Sequence, residues 1–193
     1  MFTLSRWSGG LVARVGGRLP LTIGPTISAA GIALFARPGI GGSYWTTFFP
    51  AVIVLGFGMA ITVAPLTTTV MGAVESQHAG VASGINNAVA RVAGLLAIAV
   101  FGVLLVRTFD ARATTSLDAL RLSPSARTAI ERELPRMAGA QVDNVPSIDS
   151  SQRAVVRDAI VDAFVFAFRV VLTSAAALAL AGAIFGLSLR SRR

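Results

Sequence analysis

The chain has 193 residues, of which 54% are apolar and only 13% charged, and its mean hydropathy is +0.72. Soluble domains carry about 25% charged residues, so this chain has roughly half the usual solvating surface, which excludes an ordinary soluble enzyme and a disordered chain alike. Its basic residues are 17 Arg and no Lys against 9 acids, a net +8, and they lie between long apolar runs rather than on one polar face, which argues against nucleic acid. There is no cysteine and one histidine, His78. Disulfides, thiol chemistry and cysteine-based zinc or iron–sulfur sites are thereby excluded.

The N-terminal stretch MFTLSRWSGGLVARVGGR does not read as a secretory signal, because Arg6 lies within an apolar stretch that is too short and Arg14 and Arg18 follow it. Four segments then approach the roughly 20 apolar residues that a 30 Å hydrocarbon core requires. The first runs from about Pro20 to Ala36, with Gly24-Pro25 bending it near its start. The uncharged stretch Pro38 to Val74 is too long for one crossing, and PGIGGS (Pro38 to Ser43) divides it, leaving a span near Thr46 to Val70. Tyr44 and Trp45 stand at its start, where interfacial aromatics belong. The third span runs from about Gly80 to Val106, interrupted only by Arg91. The fourth has a charge-free core, Val170 to Leu189, within a helix that begins near Ser151, and it is preceded by Phe164, Phe166 and Phe168.

Between the third and fourth spans, residues 107–158 hold eight Arg and seven acids, so this polar region carries +1 and the rest of the chain +7. Ser123-Pro124 predicts an N-cap followed by Pro at the first helical position, opening a short helix to about Leu134. Pro135, Gly139 and Pro146 punctuate the chain beyond that helix, and Asp149, Ser150 or Ser151 caps the last one. The expected architecture is an all-α membrane protein with four transmembrane helices and a partly helical extramembrane loop.

Small residues recur at every fourth position, as Gly56, Ala60 and Ala64 in the second span and Gly80, Gly84 and Ala88 in the third. Lipid supplies little hydrophobic force between helices, so such stripes predict packing seams. Pro65 removes a backbone donor inside the second span and predicts a kink, which can serve as a hinge. Arg91 shares a helical face with Asn87 and Gly84. A charge at mid-span costs about 2.5–3.5 kcal/mol on the insertion scale. Arg91 therefore either lines a water-filled path or anionic site, or snorkels to headgroups. Asp162 and Arg169 read as an interfacial pair, and Glu75 with His78 as a solvated loop. GFGMAI (Gly56 to Ile61) begins like a dinucleotide fingerprint but has Ile61 at the third small position and lies in a continuous apolar span. No catalytic, cofactor-binding or metal-ligating pattern emerges, and the chain is not expected to be an enzyme.

Three segments in order, SGGLVARVGGRLPL (Ser8 to Leu21), GFGMAITVAPLTTTVM (Gly56 to Met71) and HAGVASGINNAVARVAG (His78 to Gly94), resemble the major facilitator superfamily. Within it the likeness is to the fourteen-span drug:proton antiporters, and DAFVFAFRVVL (Asp162 to Leu172) resembles the start of that family's last helix. The family's short cytoplasmic loop motif is matched by Gly9, Arg14, Gly16 and Arg18, while its acidic position falls on Ala13, so the usual charge pair at the cytoplasmic gate is absent. The resemblance implies that the four helices correspond to the last four spans of such a transporter. Residues 1–19 would then be the end of a preceding span and a cytoplasmic loop, 20–106 three spans, 107–158 an external loop, and 159–193 the last span with a cytoplasmic tail. It implies a multi-pass protein of the cell membrane with cytoplasmic termini. Its function would be that of the C-terminal segment of a proton-coupled multidrug efflux antiporter, incomplete alone because the N-terminal half and its proton-coupling acids are missing. Arg91, Asn87, Gly84, Arg14 and Pro65 are the candidates for the substrate path or gate. The partners would be lipid, protons and a small hydrophobic or amphipathic substrate. The alternative is a stand-alone four-helix membrane protein that oligomerises or binds a partner.

Overall fold

The computed structural model describes residues 17–39, 41, 43–145 and 148–188. Among them the regular structure is helical throughout, with no strand. The α-helices are α1 (Arg18–Phe35), the single turn α2 (Tyr44–Thr47), α3 (Phe49–Gly72), α4 (Ala79–Asp118), α5 (Pro124–Glu133) and α6 (Ser150–Ser188). Short 3-10 turns lie at Ser76–His78, Leu134–Gly139 and Val142–Asn144. Four helices are long and apolar enough to cross a membrane: α1, α3, α4 with the turn before it, and α6. The chain is an all-α membrane protein.

The described residues divide into two compact units, one comprising residues up to 98 together with 172–188 and the other residues 99–171. In the first, α1 and α3 run antiparallel along a seam of small residues. A Cβ added at Gly17 would meet Thr69, one at Gly24 would meet Thr62, and one at Gly31 would meet Leu55. Each step of seven along α1 is thus matched by a step of seven back along α3, the heptad period of a left-handed helix pair. Gly58 completes the seam by lying against Ser28 and the Gly24 carbonyl. The stripe expected at Gly56, Ala60 and Ala64 is displaced accordingly: Gly56 faces open space, and Gly58 makes the close approach. A four-residue stripe drifts around an α-helix, whereas alternating steps of four and three (Ala51, Leu55, Gly58, Thr62, Pro65, Thr69) stay on one face. α3 runs through Pro65 as one uninterrupted helix, with the ring buried on that face.

Threonines inside these spans satisfy themselves locally. The hydroxyls of Thr22, Thr26, Thr62, Thr67 and Thr68 each donate to the carbonyl four residues earlier, at 2.7–3.1 Å. In hydrocarbon this removes most of the cost of a buried hydroxyl. Where α3 begins, Tyr44, Trp45, Phe48 and Phe49 form an aromatic cluster that Phe35 at the end of α1 joins, its ring 6.3 Å from that of Phe48. Gly186 of α6 approaches the α1 backbone so closely that a Cβ there would lie 2.5 Å from the Leu21 carbonyl oxygen.

The second unit has a true apolar core. Phe109, Ala113 and Leu117 recur every fourth residue along α4 and pack with Ala126 and Ile130 of α5 and with Val156, Ile160, Ala163 and Ala167 of α6. Val142, Val145 and Ile148 close it from the connecting segment. Burying a side chain such as Phe109 or Ile130 stabilises by about 1.5–3 kcal/mol. This is why α4 does not stop near Val106 but continues to Asp118: its apolar stripe persists after the charge-free run ends. α5 starts as its sequence predicts, with the Ser123 hydroxyl accepting from Ala126 N at 3.3 Å and Pro124 at the first helical position. Of the three candidate caps for α6, Asp149 takes the role. Its carboxylate accepts from Gln152 N at 2.7 Å, while the Gln152 side chain accepts from Asp149 N at 3.4 Å, a reciprocal capping box. Surface ion pairs link Arg127 to both Asp118 and Glu131, Arg136 to Glu133, and Arg157 to Asp143.

Candidate functional site

α4 positions three of the five sequence candidates. Gly84, Asn87 and Arg91 follow one another at three- and four-residue steps on an unbroken helix and so share one face. All three are exposed, and nothing lies within 4 Å of a Cβ built on Gly84. Arg91 has no hydrogen-bond or ion-pair partner among the described residues. Its surroundings are equally open, with Val81, Ile85, Val92, Leu95 and Ile98 each more than half exposed. The most apolar stretch of α4 buries none of its residues within the chain.

Pro65, the fourth candidate, lies on a different surface. It is fully buried on the α3 face that meets α1, between Thr62 and Thr69 of the glycine seam. Arg14 lies outside the described residues. The structure therefore does not bring the four described candidates together into one cluster: one sits in a closed helix–helix contact and three on an open face. Thr69 adds a feature the sequence did not single out. Its hydroxyl oxygen is buried without a hydrogen-bond partner among the described residues, unlike the other threonines of α3, and it faces Gly17. The sequence signal for the seam was the seven-residue repeat Gly17, Gly24, Gly31, which a search for four-residue stripes passes over.

Polar groups cluster at the loop after α3 and on the 99–171 unit. Glu75 accepts from the Gln77 side chain at 2.7 Å and lies 4.0 Å from His78, in an exposed arrangement. On α4, Arg107 and Arg112 flank a depression that Phe166 of α6 also lines, and the Arg112 guanidinium lies 5.2 Å over the Phe166 ring. In the sequence these residues are a polar-region charge pair and an aromatic ahead of the last span, and their convergence depends on how α4 and α6 pack.

Fold and composition together define the class: a helical membrane protein with four candidate spans and a compact, charge-bearing helical unit. No family model matches the chain. It is similar to the methyl viologen resistance protein SmvA of two strains of Salmonella typhimurium, with 28% identity over 191 residues in each case. The match covers 96% of this chain but only 37% of each relative, so the chain spans a little over a third of the length of the curated proteins it matches.

Proposed function

We propose that this chain serves membrane efflux as the C-terminal part of a proton-coupled multidrug antiporter of the major facilitator type, with cytoplasmic termini and the 107–158 region external. The observation that carries this reading is the similarity to a methyl viologen resistance protein along almost the whole chain. The coverage of 37% of that protein supports a contribution of about four spans to a larger helical assembly. The open circumference of α4 between Ala79 and Val106 also supports it: a stretch that carries Asn87 and Arg91 and has no buried residue suits neighbouring helices better than bare lipid. In this reading Gly84, Asn87 and Arg91 face a path shared with those helices, and Arg14 and Pro65 belong to the gate. The substrate is a small hydrophobic or amphipathic compound, exchanged for protons, and no catalytic step is involved.

The test is tolerance to methyl viologen in an efflux-deficient bacterium. The DNA upstream of the Met1 codon is expected to encode about ten further spans in frame, as a fourteen-span transporter requires. The longer product should raise tolerance, the 193-residue chain alone should not, and Arg91→Gln in the longer product should abolish the gain. Tolerance conferred by the chain alone, or upstream DNA without a hydrophobic frame, overturns the proposal. The open Gly80, Gly84 and Ala88 face favours one second reading, a self-associating four-helix subunit. A discrete oligomer of the purified chain on native gels would favour it, and a monomer would sink it.

A further inference from the structure

A depression of about 450 Å³ on the 99–171 unit is lined by Arg107, Thr108, Ala111, Arg112 and Thr115 of α4 and by Phe166 of α6. We infer that it binds the phosphate of an anionic membrane lipid, with Arg107 and Arg112 as the cationic contacts and Phe166 as the apolar wall. The inference needs only that the chain lies in a bilayer, and is independent of transport and its substrate.

Four observations converge on this ligand. Residues 107 and 112 are about 140° apart around the helix, so the two guanidinium groups stand on either side of the strip formed by Thr108, Ala111 and Thr115. Neither arginine is within ion-pair distance of a carboxylate among the described residues, although Asp110 is their neighbour on α4 and Asp162 lies one turn before Phe166 on α6. Arg127, Arg136 and Arg157 of the same unit are held in ion pairs, whereas Arg107 and Arg112, like Arg121, Arg132 and Arg153, are in none among the described residues, and Arg107 and Arg112 are the two that flank a depression with an apolar wall. Arg112 is positioned by its contact with the Phe166 ring, which uses none of its hydrogen-bond donors. Thr115 donates its hydroxyl to the Ala111 carbonyl at 2.8 Å, leaving Thr108 and the two guanidinium groups as donors for an anion.

Height in the bilayer selects lipid over a soluble anion. Arg107 directly follows a charge-free run, residues 92–106, and Phe166 stands four residues ahead of another, residues 170–189. Both apolar runs end at the level of the depression, where headgroups lie and where arginine and aromatic side chains anchor to them. A phosphodiester there meets two guanidinium groups, which suit phosphate geometry, while its glycerol and first methylenes meet Ala111 and Phe166.

The experiment is native mass spectrometry of the detergent-purified chain with equal amounts of phosphatidylglycerol and phosphatidylcholine of matched acyl chains. One phosphatidylglycerol should bind with a preference of roughly 30-fold, about fivefold for each arginine. The Arg107→Gln/Arg112→Gln variant should bring the preference to within about twofold. Arg121→Gln/Arg132→Gln removes the same charge from other positions of the unit, away from the depression, and should leave it intact. Circular dichroism identical to the parent shows that both variants keep their helices, and the single Arg112→Gln, expected to lose about fivefold, provides an independent reading. Equal loss in the two double variants, or no preference in the parent, overturns the inference. So does displacement of the lipid by an equal concentration of inorganic phosphate, which would assign the site to a soluble anion.

Discussion

Gly56 and Gly58 lie two residues apart on α3, and replacing each with alanine should move stability in opposite directions. A Cβ at Gly58 would press on the Ser28 backbone nitrogen and lie 2.5 Å from Ser28 Oγ and 2.9 Å from the Gly24 carbonyl oxygen. Non-bonded carbon contacts are most favourable near 3.5–4.0 Å, so α1 must retreat by roughly 1 Å. Most of the obstructing atoms are backbone and cannot rotate away. The cost therefore falls near the top of the range of about 1–3 kcal/mol for overpacking. The higher helix propensity of Ala over Gly returns about 1 kcal/mol, leaving a net loss of about 2 kcal/mol. For a chain of this size that lowers Tm by roughly 4–8 °C. At Gly56 nothing lies within 4 Å of the new atom, so only the propensity gain remains and Tm should rise by about 2–4 °C. Thermal denaturation of the purified chain in detergent, followed by size exclusion, reads both. If Gly56→Ala lowers Tm as much as Gly58→Ala does, the assignment of the seam is wrong.

Three further outcomes are expected. Phe109→Ala empties the centre of the 99–171 core, where Phe109 is fully buried, and should cost about 3–5 kcal/mol, read as accelerated amide exchange in α5. Asp149 is held below its ordinary value of 3.8 by hydrogen bonds from the Ser151 hydroxyl and the Gln152 backbone. A depressed carboxylate contributes stability that is complete above its ordinary pKa and lost as pH falls through the lowered value. Protection of the first turn of α6 should therefore hold from neutral pH to about 4 and decline only below that, with Asp149→Asn flattening the profile. Arg91→Gln should change the Tm of the isolated chain by less than the equivalent of about 0.5 kcal/mol, because Arg91 is exposed and unpartnered among the described residues. A larger drop would mean that Arg91 holds this chain's own fold together.

Composition and the lengths of the apolar runs are enough to give the solvent and the class of architecture. A charge content of 13% with four long apolar runs points to membrane helices, because in hydrocarbon every backbone polar group must be satisfied by the protein, and a continuous apolar run does this as a helix rather than as the alternating strands of a barrel. Local chemistry was equally legible: Ser123-Pro124 opened a helix where expected, and Asp149 was among the candidate caps for the last one. These features depend on residues within a turn of one another. Features that depend on partners came from the packing of the helices. It moved the α3 seam from Gly56 to Gly58, because the glycines that define it sit on α1 at seven-residue steps that α3 alone does not reveal. It extended α4 from Val106 to Asp118 and turned a polar region into a packed unit, because Phe109, Ala113 and Leu117 find Val156, Ile160 and Ala163 on the far side of the whole connecting segment. It also brought Arg112 over Phe166. Helix periodicity shows which residues share a face, and only packing shows which faces meet.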